Sequence, residues 1–399
     1  MIREIQIENY KSIQKLKLNL GQVTVLIGEN GSGKSNILEA IALASAAANG
    51  KLDHEFLFSR GIRVTEPLFM RSAFDKENTT KEIRIYLNGN SNNVIFGGVL
   101  HNNNKPYSSW IINEKESAKL QVTEHDRQVL RNQIARKIMV LYREDEEQYI
   151  NPLDYEHLIQ DILKEKESKI KQKNIQELGI DDFLIYSPEI PALRNFQKEG
   201  QIQPLGINGE GLIKLLKVLS LDEDSQKTTE LKKRLRLIYW FQDFNFSDSL
   251  YENENKIQIK DKYLDPNLAY FDQKSSNEGF LFLLFYFSLF ISENTPKFFA
   301  IDNIDASLNP KLCSQLMKEL VELAKKYNKQ VIFTTHNPAI LDGLNLDDEE
   351  QKLLVIYRNK LGHTKARYVD KPEPLEGQEP VKLSEAFLRG YIGGIPRNF

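Results

Sequence analysis

An α/β fold, with helices covering a parallel sheet, is the class that two features of this chain predict. The first is its opening, where an apolar run at 22–28 enters GENGSGKS and then ILEAIALASAA. That order is strand, glycine loop, strong helix former. The second is the final third, where helix (280–291), strand (298–302), helix (310–327) and strand (330–334) alternate. With 399 residues, 41% of them apolar, the chain can build one large domain with an insertion, or two domains.

The start, MIREIQIENYKSI, alternates polar and apolar residues, which suits a strand and not a signal peptide. Residues 2–9 and 22–28 therefore read as two strands around a short turn, followed by the glycine loop and its helix. From 55 to 112 the pattern is short strands and Asn/Gly turns, LNGNSNN and LHNNNK. Apolar residues at 130, 134, 138 and 141 give a helical stripe between Val129 and Leu141. A second, charged helix runs from Tyr155 to Leu178. Its stretch KEKESKIKQK is either a solvated helix face or a contact surface for a partner or DNA. No sustained heptad repeat supports a long coiled-coil arm.

FLIYSPE, 183–189, returns to strand, with Arg194 just beyond it. INGEGLIKLLKVL opens a helix, and LKKRLRLIYWFQDF reads as a further amphipathic helix. The twelve-residue run FLFLLFYFSLFI, Phe280 to Ile291, is too short to span a bilayer and reads as a buried core helix. A hairpin-like pair, KLLVIYRNKLGHTKARYV, a Pro/Glu-rich link, KPEPLEGQEP, and the tail LSEAFLRGYIGGIPRNF close the chain. There are no internal repeats.

A net charge of −3 points to no global basic surface, so nucleic acid would need a local basic face. The single cysteine, Cys313, sits on an expected helix and reads as a small semi-buried hydrophobe. It excludes a disulfide scaffold and favours a reducing, cytoplasmic compartment, with no membrane partner. His54, His101, His125, His157 and His363 are scattered without ligand spacing.

GENGSGKS matches G-x-x-x-x-G-K-[ST] in full. Gly28, Gly31 and Gly33 let backbone N–H groups close on phosphate oxygens, with Asn30 and Asn36 flanking the same loop. Lys34 places a cation at the β/γ-phosphates, and Ser35 offers a hydroxyl to Mg²⁺. FFAID is a second strand that ends in a carboxylate, Asp302, suited to holding the Mg²⁺ through water. VIFTTHNPAIL ends a third strand in Thr334-Thr335-His336-Asn337, where α/β ligand sites form. His336 there is a γ-phosphate sensor or a satisfied surface histidine.

In this order the three motifs resemble the ABC-type ATPase head of SMC, RecF and related proteins. The closer resemblance is to the compact prokaryotic ATPases of phage-defence operons, as in the Septu, PARIS and overcoming-lysogenization-defect groups. It covers roughly 1–45 and 185–345. It implies an ABC-type P-loop head with a mixed sheet flanked by helices and an inserted, mostly helical subdomain. The lobes would be 1–112 and 183–345, the insertion 113–182, and the hairpin and tail 346–399. The family phrase NYKS appears as Asn9-Tyr10-Lys11-Ser12, which puts Tyr10 and Lys11 among the nucleotide contacts. A signature segment, QKSSNEG, places Ser276 and Gly279 on the γ-phosphate of a partner's ATP, in a homodimer or higher oligomer. Without a nucleotide, the same segment reads as an N-cap Ser276 with Glu278 in the first helical turn.

In that family a glutamate follows the strand-end aspartate and polarises the attacking water; here the residue is Asn303. An amide accepts no proton at neutral pH, although it can orient water. Asp305 either compensates in part or serves as a helix cap or dimer-loop residue. ATP and Mg²⁺ are therefore expected, with slow hydrolysis suited to a switch or clamp. About sixty residues follow His336, too few for a nuclease fold, so a nuclease effector would be a separate polypeptide. The expected role is a nucleotide-gated dimeric switch over such an effector in antiphage defence. The alternatives are a RecF-like DNA-binding clamp, and a turnover phosphohydrolase or small-molecule kinase, which Asn303 disfavours.

Overall fold

The structure is a computed structural model that describes every residue except 90–93, 106–107, 120–123, 144–151, 196–201, 222–225, 247–255, 266, 269, 372–380 and 395–399. The Pro/Glu-rich link thus lies almost wholly outside the described residues.

Thirteen strands occur among the described residues: β1 Glu4–Tyr10, β2 Ile13–Asn19, β3 Val23–Ile27, β4 Ile83–Asn88, β5 Val94–His101, β6 Ile111–Ile112, β7 Ile185–Tyr186, β8 Phe241–Phe246, β9 Ile257–Asp261, β10 Phe298–Ile301, β11 Gln330–Thr334, β12 Gln351–Arg358 and β13 Thr364–Tyr368. One sheet, in the order β2-β1-β4-β5-β6, is antiparallel. The other, β13-β12-β3-β11-β10-β7, is parallel from β7 to β12 and antiparallel only at β13. The fold is therefore α/β with a mixed sheet flanked by helices, as the resemblance implies.

The helix after the glycine loop, Lys34–Ala48, lies between the two sheets, and its residues 37–47 are all buried. An Ala-rich sequence is what such a position requires, because small side chains let a helix be covered on every side. On the opposite face of the parallel sheet, the helix Glu278–Ile291 is buried from Phe280 onward. Its uniformly apolar run belongs to a protein core, as its length requires. Of the described residues, no helix is long and apolar enough to cross a membrane.

The helices Glu124–Arg143 and Pro152–Leu178 pair through Ile134, Ile138, Ile159 and Leu163, a small cluster separate from the main core. Along the charged run, Glu165 and Lys169 pair with each other in the exposed face.

Three local expectations are corrected. Ile13–Asn19 is a full strand, β2, and not part of a turn; its IQKLKLN alternation pairs register for register with β1. Between 54 and 79 the chain forms the short helices His54–Ser59 and Pro67–Met70 and a 3-10 turn, and strands begin only at Ile83. The segment 231–244 is not one helix: the helix Gln226–Leu235 ends, and Phe241–Phe246 becomes β8. Aromatic and β-branched residues from Ile238 onward favour a pleated surface, and β9 supplies the partner strand.

Candidate functional site

The C-terminal ends of three neighbouring parallel strands converge on one place. β3 delivers the glycine loop, β10 delivers Asp302, and β11, lying between them, delivers Thr335 and His336. This order brings Ser35 Oγ to 3.0 Å from Asp302 Oδ2, to which it donates. A cavity of about 300 Å³ opens there, with Lys34, Ser35, Asp302, Asn303 and His336 on its wall beside Asn30, Gly31, Gly33 and Asn36.

The loop's shape is enforced from far along the chain. A Cβ on Gly28 would lie 2.1 Å from the Ile356 carbonyl oxygen. At Gly33, φ 106°, it would lie 2.1 Å from Thr364 Oγ1 and 2.9 Å from Ser12 Oγ. Those hydroxyls are 2.7 Å apart, and Thr364 Oγ1 also donates to the Ser32 carbonyl at 2.9 Å. The turn after β1 and the start of β13 thus clamp the loop from outside.

Lys34 is only 6% exposed, and its Nζ donates to the Gly28 and Glu29 carbonyls at 2.9 and 3.1 Å. Burial lowers its pKa to about 8, against the opposing pull of Asp302 and Asp305. The site therefore holds a poorly solvated cation, which a polyanion would stabilise. Burial, and then the charge of Lys34, also lower the pKa of His336, so its imidazole is neutral at pH 7.

Asp302 is fixed on both oxygens: Oδ2 accepts from Ser35, and Oδ1 from Thr334 Oγ1. Asn303 follows in the left-handed region, φ 56°, with its N–H donated to Thr334 Oγ1 at 2.9 Å. Asparagine is among the few residues with a side chain that tolerate that conformation. Asp305 accepts from Thr335 Oγ1 at 2.5 Å. This bond ties it to the loop that carries His336.

Other expected contacts are placed elsewhere. Tyr10 is fully buried, and its hydroxyl donates to Glu39 at 3.2 Å, so it supports the loop helix and does not face the phosphate cavity. Lys11 pairs with the same Glu39 and borders a neighbouring cavity. Ser276 is 3% exposed, and its Oγ bonds the Asn277 carbonyl at 3.3 Å. The helix cap is Asn277, whose side chain accepts from Phe280 N at 2.8 Å, and not Ser276. Gly279 borders a different cavity, of about 690 Å³, with Tyr239, Trp240, Ser307 and Asn309. Neither signature residue lines the cavity of its own chain's P-loop. Cys313 is fully buried, its thiol pushed up to about 12 by desolvation, and is a core residue.

Two cations at the site carry no sequence signature. Arg358 Nε donates to the Gly31 carbonyl at 2.7 Å, and Arg63, paired with Glu39, reaches Asn36 Oδ1 at 3.1 Å. Both line the P-loop cavity. Of the described residues, no cluster of His, Cys, Asp and Glu is suited to a metal ion by itself. The Ser35 hydroxyl and the Asp302 carboxylate nonetheless form the hard-oxygen pair that a water-rich Mg²⁺ takes beside a phosphate.

A family profile described as "AAA domain, putative AbiEii toxin, Type IV TA system" matches residues 23–342. The DNA double-strand break repair Rad50 ATPase of Methanocaldococcus jannaschii is 32% identical over 114 residues, 28% of this chain and 10% of that protein. The DNA replication and repair protein RecF of Bacillus thuringiensis is 40% identical over 55 residues, 14% of this chain and 15% of that protein. The chain thus spans a small fraction of these curated relatives. The Smc head solved with the C-winged helix domain of ScpA superposes with a TM-score of 0.54 at 15% identity, covering 92% of this chain and 98% of that one. At that identity the likeness is one of fold.

Proposed function

Because the chain belongs to this family of AAA ATPase domains and has the ABC-type fold, we propose that it is an ATP-binding, slowly hydrolysing switch. The observation that carries the reading is the pairing of a complete phosphate cradle with an amide, Asn303, on the cavity wall where a general base would act. In this reading 1–112 and 183–345 are the two lobes of the head.

Each residue's task follows from its position. The loop N–H groups and Lys34 hold the terminal phosphates, which replace two backbone carbonyls as acceptors for the lysine. Ser35 and Asp302 would hold Mg²⁺, which would supply positive charge against that of the phosphates. Neutral His336 donates a ring N–H to a γ-phosphate oxygen without adding charge. Asn303 orients the attacking water but takes no proton, so the closed state outlives binding.

Slow turnover suits a homodimer that ATP closes and that governs a separate effector, with a nuclease in antiphage defence as the form we favour. The family's toxin-system description supports it. The second reading is a DNA clamp in repair, supported by the Rad50 and RecF similarities. Nucleotide-dependent pull-down from the native host separates them. Recovery of a nuclease or toxin subunit with ATP supports the first, and ATP-dependent retention on DNA without such a subunit supports the second. No measurable ATP binding in the purified protein would remove both.

A further inference from the structure

A cavity of about 760 Å³ lies apart from the phosphate site, within the usual size of a small-molecule pocket. It opens between the helix His54–Ser59, the end of the helix Pro152–Leu178 and the link from Glu278–Ile291 to β10. No described residue lines both this cavity and that of the P-loop. The nucleotide reading gives it no task.

Its wall carries a buried arginine. Arg60 is 8% exposed, and its Nη1 donates to Ser45 Oγ at 3.1 Å and to the Phe183 carbonyl at 3.0 Å. Nε is buried without a partner, and Nη2 makes no bond among the described residues. Nε and Nη2 form one edge of the guanidinium, two parallel N–H donors spaced to match the oxygens of a carboxylate. The Arg60 Cζ stands 4.4 Å from the Phe56 ring centroid, which steadies the plane of the fork. On the same wall the Tyr186 hydroxyl is buried and has no partner among the described residues. Burial raises its pKa, so it stays a donor.

Buried donors without an acceptor are costly, so the free edge of Arg60 and the Tyr186 hydroxyl both call for one. Charge sets its kind. Burial lowers the Arg60 pKa, against the pull of Asp182, Asp181 and Tyr186, and leaves a poorly solvated cation that favours an anion. Among the described residues no ion pair joins either aspartate to Arg60, and Asp181 Oδ1 is itself unpartnered. Their charges nonetheless oppose a dianion such as phosphate. Phe56, Leu184, Leu205 and Pro296 supply apolar wall. We infer that this cavity binds a small monocarboxylic acid with an apolar body, its carboxylate seated on the free edge of Arg60. The inference goes beyond the ATP reading and stands without it.

The probe is phenylacetate, with phenylacetamide as its neutral isostere and inorganic phosphate as competitor, read by saturation-transfer NMR on the full chain. Phenylacetate should bind at about 1 mM, and about 10-fold or more tighter than phenylacetamide. Phosphate should not displace it. Arg60→Lys keeps the charge without the fork and should weaken phenylacetate by roughly 10-fold or more. That substitution also removes the bonds to Ser45 and Phe183. Asn294→Trp is therefore the second variant: it fills the cavity from an exposed turn and should abolish binding in a folded protein. Lys34→Ala should bind phenylacetate as wild type does, which separates this site from the P-loop. No saturation transfer at about 10 mM probe, equal binding of phenylacetamide, or displacement by phosphate would each overturn the proposal. So would unchanged binding in a folded Arg60→Lys or in Asn294→Trp, or loss of binding in Lys34→Ala.

Discussion

Replacing Asn303 with glutamate should turn a slow ATPase into a faster one. Asn303 lines the P-loop cavity next to Asp302, and its backbone is pinned through Thr334 Oγ1, so a longer acid would be delivered to the water's side. General-base catalysis contributes about 10²–10⁴ in rate, or roughly 3–5 kcal/mol of barrier. Set against a typical enzyme turnover of about 10 s⁻¹, wild type should run at about 10⁻³ to 10⁻¹ s⁻¹. The substitution has a cost, because φ is 56° and a glutamate there is strained by about 1–2 kcal/mol. That is a fraction of the 5–15 kcal/mol that a domain has in hand, by order of magnitude. Asn303→Asp is the companion variant, since aspartate tolerates the left-handed region better but reaches less far. Steady-state phosphate release and a melting curve should be recorded for all three proteins. Wild-type turnover near 10 s⁻¹, or no acceleration in a folded, ATP-binding Asn303→Glu, would refute the reasoning.

Lys34→Ala should abolish ATP binding in calorimetry, because it removes the buried cation at the centre of the cradle. The same lysine sets a pH dependence. Its pKa of about 8 lies below the ordinary lysine value, so the free protein loses this charge as pH rises through 8. ATP affinity should then fall by about ten-fold per pH unit above that point, with proton uptake on binding visible in buffers of different ionisation heat. Flat affinity from pH 7 to 10 would contradict it. Dimer closure is best probed at Gly279, not at buried Ser276. A Cβ there would lie 3.6 Å from Leu308, so Gly279→Arg should fold and bind ATP as a monomer yet lose any ATP-driven approach of labelled heads. Unchanged approach would confine the SSNEG segment to helix capping. Asn9→Ala should destabilise the fold by about 3 kcal/mol in urea unfolding. Asn9 sits at φ 61°, donates to the Asn78 carbonyl and accepts from Ser72 N.

The glycine loop, the strand-end Asp302 and the buried helix 280–291 were legible in the sequence because each is a contiguous phrase whose local backbone and neighbours determine its conformation. The parallel sheet followed from the same source, since strand and helix alternate in chain order. What sequence could not supply was the convergence of distant segments. Arg63 and Arg358 reach the site only because β12 lies beside β3 and because Glu39 orients Arg63 from the loop helix, and no short motif encodes either neighbour. Tyr10 read as a nucleotide contact by its phrase, but the fold turns its ring into the core, where Glu39 satisfies the hydroxyl. β8 reads as helix in sequence because its partner strand begins eleven residues after it ends, at Ile257, and a strand is stabilised by that partner and not by its own period. The cap at the signature helix is Asn277, one residue beyond the Ser276 that the sequence suggests. Both types cap well, and only the side-chain geometry at Phe280 N decides between them.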